Sequence, residues 1–421
     1  MKLPEKFKKI LVEVSRIILG CVFVFSGFVK AVDPLGSTYK FQDYLTAFGM
    51  DFFNVLTLPA SFFLSSLEFA LGIFLLLAVY RRFTTIMTLL VMSFMTCLTL
   101  YSAITNPVTD CGCFGDALIL SNWDTFYKNV VLMVFTLIVV LWYKSMSPVF
   151  SKKNVSLVAL YTTVFILGIS VYCYRNLPIL DFRPYKIGNN IPEKMSKPEG
   201  AAQDVYESTF IYEKDGVKQE FTLDNYPADD PSWTFVDSKS KLVKKGYTPP
   251  IHDFSITTTI GDDITDKVLA DTSYSFLLIS YRLDKANDSD ADRINELYDY
   301  AQKFGYEYYL LTASTPDQIV EWAENTGAEY RICTTDAITL KTIVRSNPGM
   351  MLIKNGTIIN KWAYRNLPEG NVLESPLNET TLGAIPPNRD TQKVLYCALI
   401  LIVPIAAVFT LERIRSRKKE N

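Results

Sequence analysis

Six stretches of the chain are apolar for long enough to cross a bilayer, and the polar residues fall between them. The runs cover residues 10–32, 59–80, 83–104, 123–143, 155–177 and 394–411. Each is near the roughly 20 residues that a spanning helix needs, the last at the short end of that range. The first lacks a small-residue cleavage site and is followed by further spans, so it reads as a retained helix rather than a signal peptide. Between the fifth and sixth runs the pattern changes. From about residue 178 to 245 the chain is rich in proline and charge, with alternating stretches at 208–212 and 218–223 around Gly216. These predict a β-hairpin preceded by a linker, serving either as a docking surface or as a spacer. From 246 onward, short apolar runs alternate with helical periodicity. Strands are predicted at 273–280, 306–312 and 329–333, and helices at 290–304, 316–325 and 336–345. A strand at 350–354 is then joined by the Asn355-Gly356 turn to another at 357–361.

The expected fold class is multi-domain: an α-helical transmembrane bundle of six spans plus an outward-facing α/β domain. The expected divisions are 1–150 for a four-helix membrane unit, 151–178 for a fifth span and 179–247 for linker and hairpin. Residues 248–366 form the α/β domain, 367–393 a second linker, 394–412 the sixth span and 413–421 a basic tail.

Positive charge orients the spans. Lys2, Lys6, Lys8 and Lys9 precede the first, and Arg81 and Arg82 link the second to the third. Lys144, Lys152 and Lys153 link the fourth to the fifth, and Arg413, Arg415, Arg417, Lys418 and Lys419 follow the sixth. With six spans all four clusters share one side, which the positive-inside rule makes cytoplasmic. The loop at 105–122 has no Lys or Arg and faces outward, as does the α/β domain. The expected location is the bacterial inner membrane, both termini cytoplasmic and the soluble domain periplasmic, with the lipid bilayer as the first partner. A net charge of −2 over 421 residues gives no basis for nucleic-acid binding.

The outward loop carries Asp110-Cys111-Gly112-Cys113-Phe114-Gly115-Asp116. Seven cysteines are too few and too scattered for a disulfide scaffold, and only Cys111 and Cys113 are close in sequence. Cysteines one residue apart can close a small strained ring, and a strained, exposed disulfide is oxidising and labile. Three readings stay open: thiol–disulfide exchange, a structural bridge, and a metal site, for which no further ligands lie nearby. Cys21, Cys97, Cys173 and Cys397 in the apolar runs, and Cys333 in a strand, read as small apolar fillers. The single histidine, His252, argues against a His-rich metal centre and a Ser-His-Asp triad, and reads as a loop residue. Glu68 lies about mid-depth in the second run, where a carboxylate costs roughly 2.5–3.5 kcal/mol on insertion scales. It is therefore a functional or paired residue, or a protonated one bonded to a neighbouring helix. Lys30 and Arg16, near the ends of the first run, are expected to snorkel. Asp110, Asp116 and Glu68 are the candidates for proton transfer to the thiols.

The run Arg16-Ile-Ile-Leu-Gly20, then Phe23-Val-Phe-Ser-Gly27-Phe-Val-Lys30 with Asp33-Pro34 following, resembles the opening helix of DoxX-like membrane proteins. With Glu68 and the CGCFG loop, residues 8–145 resemble the MauE branch, named for methylamine utilisation. The resemblance implies a membrane component needed to make or mature a periplasmic, disulfide-rich redox enzyme. The βαβαβαββ order over about 248–366, ending in Ser346-Asn-Pro-Gly349 and a final hairpin, resembles the thioredoxin fold. Pro348 stands where that family has its cis-proline, which shapes the groove for a substrate strand. The departure is that the segment around 281–284 holds no Cys-x-x-Cys, so the domain is expected to bind rather than to exchange disulfides.

These features point to a membrane thiol–disulfide or electron relay serving exported proteins, with Cys111, Cys113 and Glu68 in catalytic positions. No cofactor is implied directly, although a membrane quinone is one electron partner that such a relay could use. The alternative is a non-catalytic scaffold that holds an exported client by strand addition in the groove at Pro348. A transporter built on Glu68 is a third reading.

Overall fold

The computed structural model describes residues 4–108, 110–227, 230–244 and 246–420, and Lys2 of the N-terminal basic cluster lies outside them. Helix α1 (Glu5–Val32) leads directly into α2 (Pro34–Ala47), whose first turn is capped by the Asp33 side chain accepting from the Gly36 amide. A 3₁₀ turn then enters α3 (Thr57–Leu77), followed by α4 (Arg81–Thr105), α5 (Asn122–Leu141) and α6 (Lys152–Arg175). Helices α1 and α3 make the closest pair because glycine removes the side chains between them. A Cβ on Gly27 would stand 2.3 Å from the Phe69 nitrogen, and one on Gly72 would stand 2.5 Å from the Val24 nitrogen. Close backbone approach through small residues is how helices pack where lipid offers no hydrophobic drive. Helices α4 and α5 form a second pair, and Leu19, Leu71, Leu75, Leu132 and Val139 fill the core between the pairs.

The snorkelling expected of Arg16 and Lys30 does not occur, because each side chain finds partners inside the bundle. Arg16 donates from Nη1 to the carbonyls of Leu75 and Leu76 at 2.9 and 2.6 Å, and from Nε to Glu13 at 2.6 Å. Those carbonyls belong to the last turn of α3, which lacks intrahelical donors and carries the negative end of the helix dipole. Lys30 turns inward to Glu68, a pair taken up below.

One end of the bundle collects the ends of several spans. Arg81 donates to the Met146 carbonyl at 2.8 Å, Glu13 accepts from the Ser147 amide at 3.0 Å, and Glu412 accepts from the Ser151 amide at 2.6 Å. The opposite end carries the 106–121 loop and the α/β unit.

Beyond α6 the chain runs through α7 (Ile191–Met195) into a meander of β1 (Val205–Lys214), β2 (Val217–Thr222) and β3 (Thr234–Lys244), antiparallel in the order β2-β1-β3. The hairpin predicted around Gly216 is the β1–β2 turn. The main sheet contains β4 (Thr257–Thr258), β5 (Tyr274–Ser280), β6 (Glu307–Thr312), β7 (Arg331–Thr334), β8 (Gly349–Lys354) and β9 (Thr357–Ala363), in the order β4-β7-β6-β5-β8-β9. Strands β5, β6 and β7 run parallel while β8 and β9 are antiparallel to their neighbours. Helices α8 (Thr265–Leu269), α9 (Ala291–Phe304), α10 (Pro316–Thr326) and α11 (Ala337–Ile343) connect them. Because β5 is buried on both faces, its centre, Phe276 to Ile279, is one apolar run rather than an alternation. Leu277 and Ile279 point into one core layer, while Phe276 and Leu278 point into the other. Tyr185 and Ile191, from the stretch read as linker, are buried in the first layer.

The Asn347-Pro348 peptide is cis. Strand order and helix placement make the α/β unit thioredoxin-like.

Helix α12 (Asp390–Glu420) closes the chain. Among the described residues six helices are long and apolar enough to cross a membrane: α1, α3 with its preceding turn, α4, α5, α6 and α12. This is a membrane protein whose helices contact lipid.

The segment that follows α6 is fastened to the α/β unit by a buried ion cluster. Lys361 on β9 donates to Asp181 at 2.5 Å and to the carbonyls of Tyr185 and Ile343, while Arg183 reaches the same carboxylate at 2.8 Å. Burial pushes the Lys361 ammonium down to about 8 against the pull of Asp181. Burial also works against the Asp181 charge, but Lys361 and Arg183 outweigh it and hold the carboxyl below its ordinary range.

Candidate functional site

The 106–121 loop folds over the end of the bundle because its ends are tied together. Asn122 donates its amide to Asn106 Oδ1 at 2.8 Å and to the Val108 carbonyl at 2.9 Å. Inside the loop, Asp110 Oδ1 accepts from the Gly112 amide at 3.0 Å, and the Gly115 amide donates to the Gly112 carbonyl at 3.0 Å. Gly112 at φ 65° and Gly115 at φ 51° occupy the left-handed region that residues with a Cβ avoid. Phe114 plugs the loop into the bundle, its ring 5.4 Å from that of Phe25 and under the Lys128 ammonium at 4.1 Å.

This fold brings Cys111 and Cys113 together as free thiols with their sulfurs 3.2 Å apart. The two differ electrostatically. The Cys113 thiol is held below the usual thiol range, first because Cys111 donates its S–H to it, then because Lys128 and Lys30 favour its charge. The Cys111 thiol is pushed up because its proton is committed to Cys113 and because it is buried. Tyr44 on α2 lies beside Cys111 and is 3.2 Å from Ser102.

Under the loop lies the buried polar group of the membrane half. Lys30 on α1 donates to both Glu68 oxygens on α3, at 2.8 and 2.6 Å, and to Ser26 at 3.0 Å. Ser26 Oγ stands 2.7 Å from Glu68 Oε2 and 2.8 Å from the Cys113 carbonyl, so its one proton is shared between two acceptors. Glu68 therefore meets the loop through Ser26 and the backbone of Cys113. Of the other two candidate proton carriers, Asp110 is paired with Lys40 of α2 at 2.6 Å and Asp116 with Arg345 at 3.1 Å.

Arg345, just after α11, joins the two halves. Its buried guanidinium also grips Asp33 at 2.9 Å, the residue that caps α2. Lys341 and Arg345 lie over the ring of Tyr39, which meets Tyr281 edge-on at 6.0 Å. The end of the α/β unit that carries Pro348, and where a Cys-x-x-Cys would stand, thus rests on α2. The carbonyl of Asn347, preceding Pro348, already accepts from the Asn287 amide at 3.0 Å, and the Asn347 side-chain amide donates to the Arg282 carbonyl at 2.9 Å.

Sequence reasoning singled out Cys111, Cys113 and Glu68, and the structure gathers them at one place. It did not single out Ser26, Lys40, Tyr44, Lys128 or Arg345. A usable signal existed for Lys128: a cation within an apolar run needs a partner inside the bundle. Cys333 is buried in β7, and His252 is exposed beside Asp253. Cys21 on α1 and Cys97 on α4, read from the sequence as small apolar fillers, are exposed instead. Among the described residues no cluster of His, Cys, Asp and Glu could hold a metal ion.

Fold and site together define a polytopic membrane protein with a dithiol loop at one end of its bundle and a cysteine-poor thioredoxin-like unit mounted over that loop. Residues 8–143, which span α1 to α5, match the family model of methylamine utilisation protein MauE. Residues 206–245, the β1–β3 meander, match a family described as a domain of unknown function, DUF8463. A solution structure from Bacteroides thetaiotaomicron, provisionally assigned as a protein disulfide isomerase, is 17% identical at a TM-score of 0.23. That match covers 27% of this chain and 76% of the other. Among curated proteins none matches.

The asymmetry of the thiols sets a first expected result. A thiolate is present above its pKa and lost as pH falls through it, so the iodoacetamide reaction at Cys113 should persist well below the ordinary thiol value of about 8.5. Cys111→Ala removes the S–H donor and should move the Cys113 profile upward. Peptide mass spectrometry across a pH series reads both, and coincident profiles would exclude a stabilised Cys113 thiolate.

Proposed function

We propose that this protein is a membrane thiol–disulfide relay that serves the maturation of exported proteins. The observation that carries this reading is the pair of thiols 3.2 Å apart on a glycine-hinged loop, one of them held toward the thiolate by the Cys111 S–H and then by Lys128 and Lys30. In the oxidised form, a client thiolate attacks Cys111 Sγ. The Cys111–Cys113 bond breaks, and Cys113 leaves as the thiolate, since the sulfur with the lower pKa leaves faster. A second client thiolate then attacks the mixed disulfide at the client sulfur and releases Cys111. The client has lost two electrons and the relay has gained them. Lys30 and Lys128 stabilise the leaving thiolate, while the Lys30–Glu68–Ser26 group holds the Cys113 carbonyl and with it the loop.

Three lines support the compartment. The loop and the α/β unit share one end of the bundle, the basic links share the other, and the positive-inside rule makes the basic end cytoplasmic. The relay would thus work at the periplasmic face of a bacterial inner membrane, where disulfides persist. The match of residues 8–143 to a methylamine utilisation family fits a maturation role for an exported enzyme. The thioredoxin-like unit, cysteine-free where the exchange motif would stand, acts as a cover and docking platform.

Alkylation with a thiol-reactive mass tag in intact membranes tests the relay. The pair should shift between fully tagged and fully protected as reductant is replaced by oxidant. In Cys113→Ala, where the internal bond cannot form, the Cys111 thiolate should attack the disulfide of an oxidised exported protein, displace one of its sulfurs as a thiolate and hold the other in a mixed disulfide that no second relay thiol resolves. A pair locked in one state under both conditions would sink the reading.

A further inference from the structure

Beside the dithiol lies a cavity of about 660 Å³ between α2, α3 and α4. It falls in the range of roughly 300–1,000 Å³ that holds a mid-sized organic ligand. Its walls are apolar, with Phe41, Ala60, Leu64, Phe94 and Leu98 among them, and its polar groups sit at the loop end, where Lys30, Lys40, Cys111 and Cys113 line it. Helix α4 packs chiefly on α5 and only lightly on α3. Phe63 on α3 and Phe94 on α4 are both largely exposed at this seam, so the cavity meets lipid there.

We propose that this cavity binds a membrane quinone, which reoxidises the Cys111–Cys113 pair. Three observations select that occupant. Each lysine at the polar end is already neutralised, Lys30 by Glu68 and Lys40 by Asp110. The three N–H groups of Lys30 are spent on Glu68 and Ser26, whereas Lys40 is bonded, among the described residues, to Asp110 alone and has N–H groups left to donate. The end thus offers a donor without net charge, which suits a carbonyl head rather than an anionic lipid head. The long apolar walls and the lateral seam fit an amphiphile arriving through the bilayer. The relay must also pass on two electrons at a time, and among the described residues neither a further cysteine beside the pair nor a metal cluster stands ready to take them. In the step, two S–H bonds break and the Cys111–Cys113 bond forms. Both electrons and both protons pass to the quinone, whose two carbonyls become the hydroxyls of a quinol.

This inference rests on the relay reading, and the test separates the two. Full-length protein in lipid nanodiscs is reduced, freed of reductant, and given either decyl-ubiquinone or glutathione disulfide. Thiol loss is followed by mass tagging and quinol formation by absorbance. Decyl-ubiquinone should oxidise the pair with one quinol formed per pair. Leu98→Trp and Ala60→Trp, which fill the cavity from opposite walls, should each slow that reaction by about tenfold or more while glutathione disulfide acts at an unchanged rate. Oxidation by glutathione disulfide but by neither decyl-ubiquinone nor a short-chain menaquinone would overturn the quinone site and leave the relay standing. Equal quinone rates in the wild type and both tryptophan variants would overturn the cavity as its place. A pair that neither oxidant converts would remove the relay and the quinone site together.

Discussion

Lys30→Met should destabilise the helical half by about 3–5 kcal/mol, the usual loss when one partner of a buried ion pair is removed. Lys30 and Glu68 are both buried, and the two hydrogen bonds between them join α1 to α3 beneath the loop. Met keeps the length of the lysine stem, so the loss comes from Glu68 left without its counter-ion rather than from a cavity. Glu68→Met in the same background should recover most of it, because a pair replaced by well-packed apolar residues is often neutral or better. Denaturant titration of the detergent-solubilised protein, read as a double-mutant cycle, gives the coupling. A Lys30→Met protein as stable as wild type would mean that the pair is solvated. The same variant removes one of the two lysines beside Cys113, so alkylation at neutral pH should also slow.

Arg345→Glu should detach the thioredoxin-like unit without unfolding it. The substitution sets a third carboxylate against Asp33 and Asp116, both of which now bind the guanidinium. The two core layers of the unit do not depend on Arg345 and should keep their protection. A loss of about 3 kcal/mol at the junction corresponds to amide exchange about a hundredfold faster in the segment around Tyr39 and in α11. Arg345→Lys should fall between, since a point charge cannot grip two carboxylates as a planar fork does. Hydrogen exchange followed by mass spectrometry distinguishes local release from global unfolding. Unchanged exchange around Tyr39 would show that the interface is held elsewhere.

The elements legible in the chain were those with a strong period. The six spans and the β5–β9 core follow from long apolar runs and from short ones separated by turn residues. Most bounds in the structure differ by a few residues, but α1 begins five residues before its apolar run and α12 continues nine residues past its own, through the basic tail. Helix α2 escaped because Lys40, Gln42 and Asp43 interrupt its apolar face, and because that face, with Phe41 and Tyr44, lines a cavity rather than a core. The charged residues of the first span were legible as costly but not as partnered. Depth in a bilayer says that a cation needs an escape, whereas only the neighbouring helix decides whether the escape is water, a carboxylate or a row of orphan carbonyls. The dithiol was plain from spacing alone. Its electrostatic asymmetry was not, because Lys30 and Lys128 come from helices about 80 residues before and 15 after it, brought together by helix packing.

The thioredoxin-like unit is carried on two stalks and one brace. Helix α6 feeds it and α12 leaves it, the two roots tied by Lys186 to Asp390 at 2.5 Å and by Lys393 to the Ile179 carbonyl at 2.9 Å, while Arg345 braces the far side. Because the two roots lie against each other, the unit is held at two separated places, the joined roots and the Arg345 brace. Under the proposed relay, a client would reach the dithiol past a platform fixed at both places, and a lipid-soluble carrier would reach it from the bundle side.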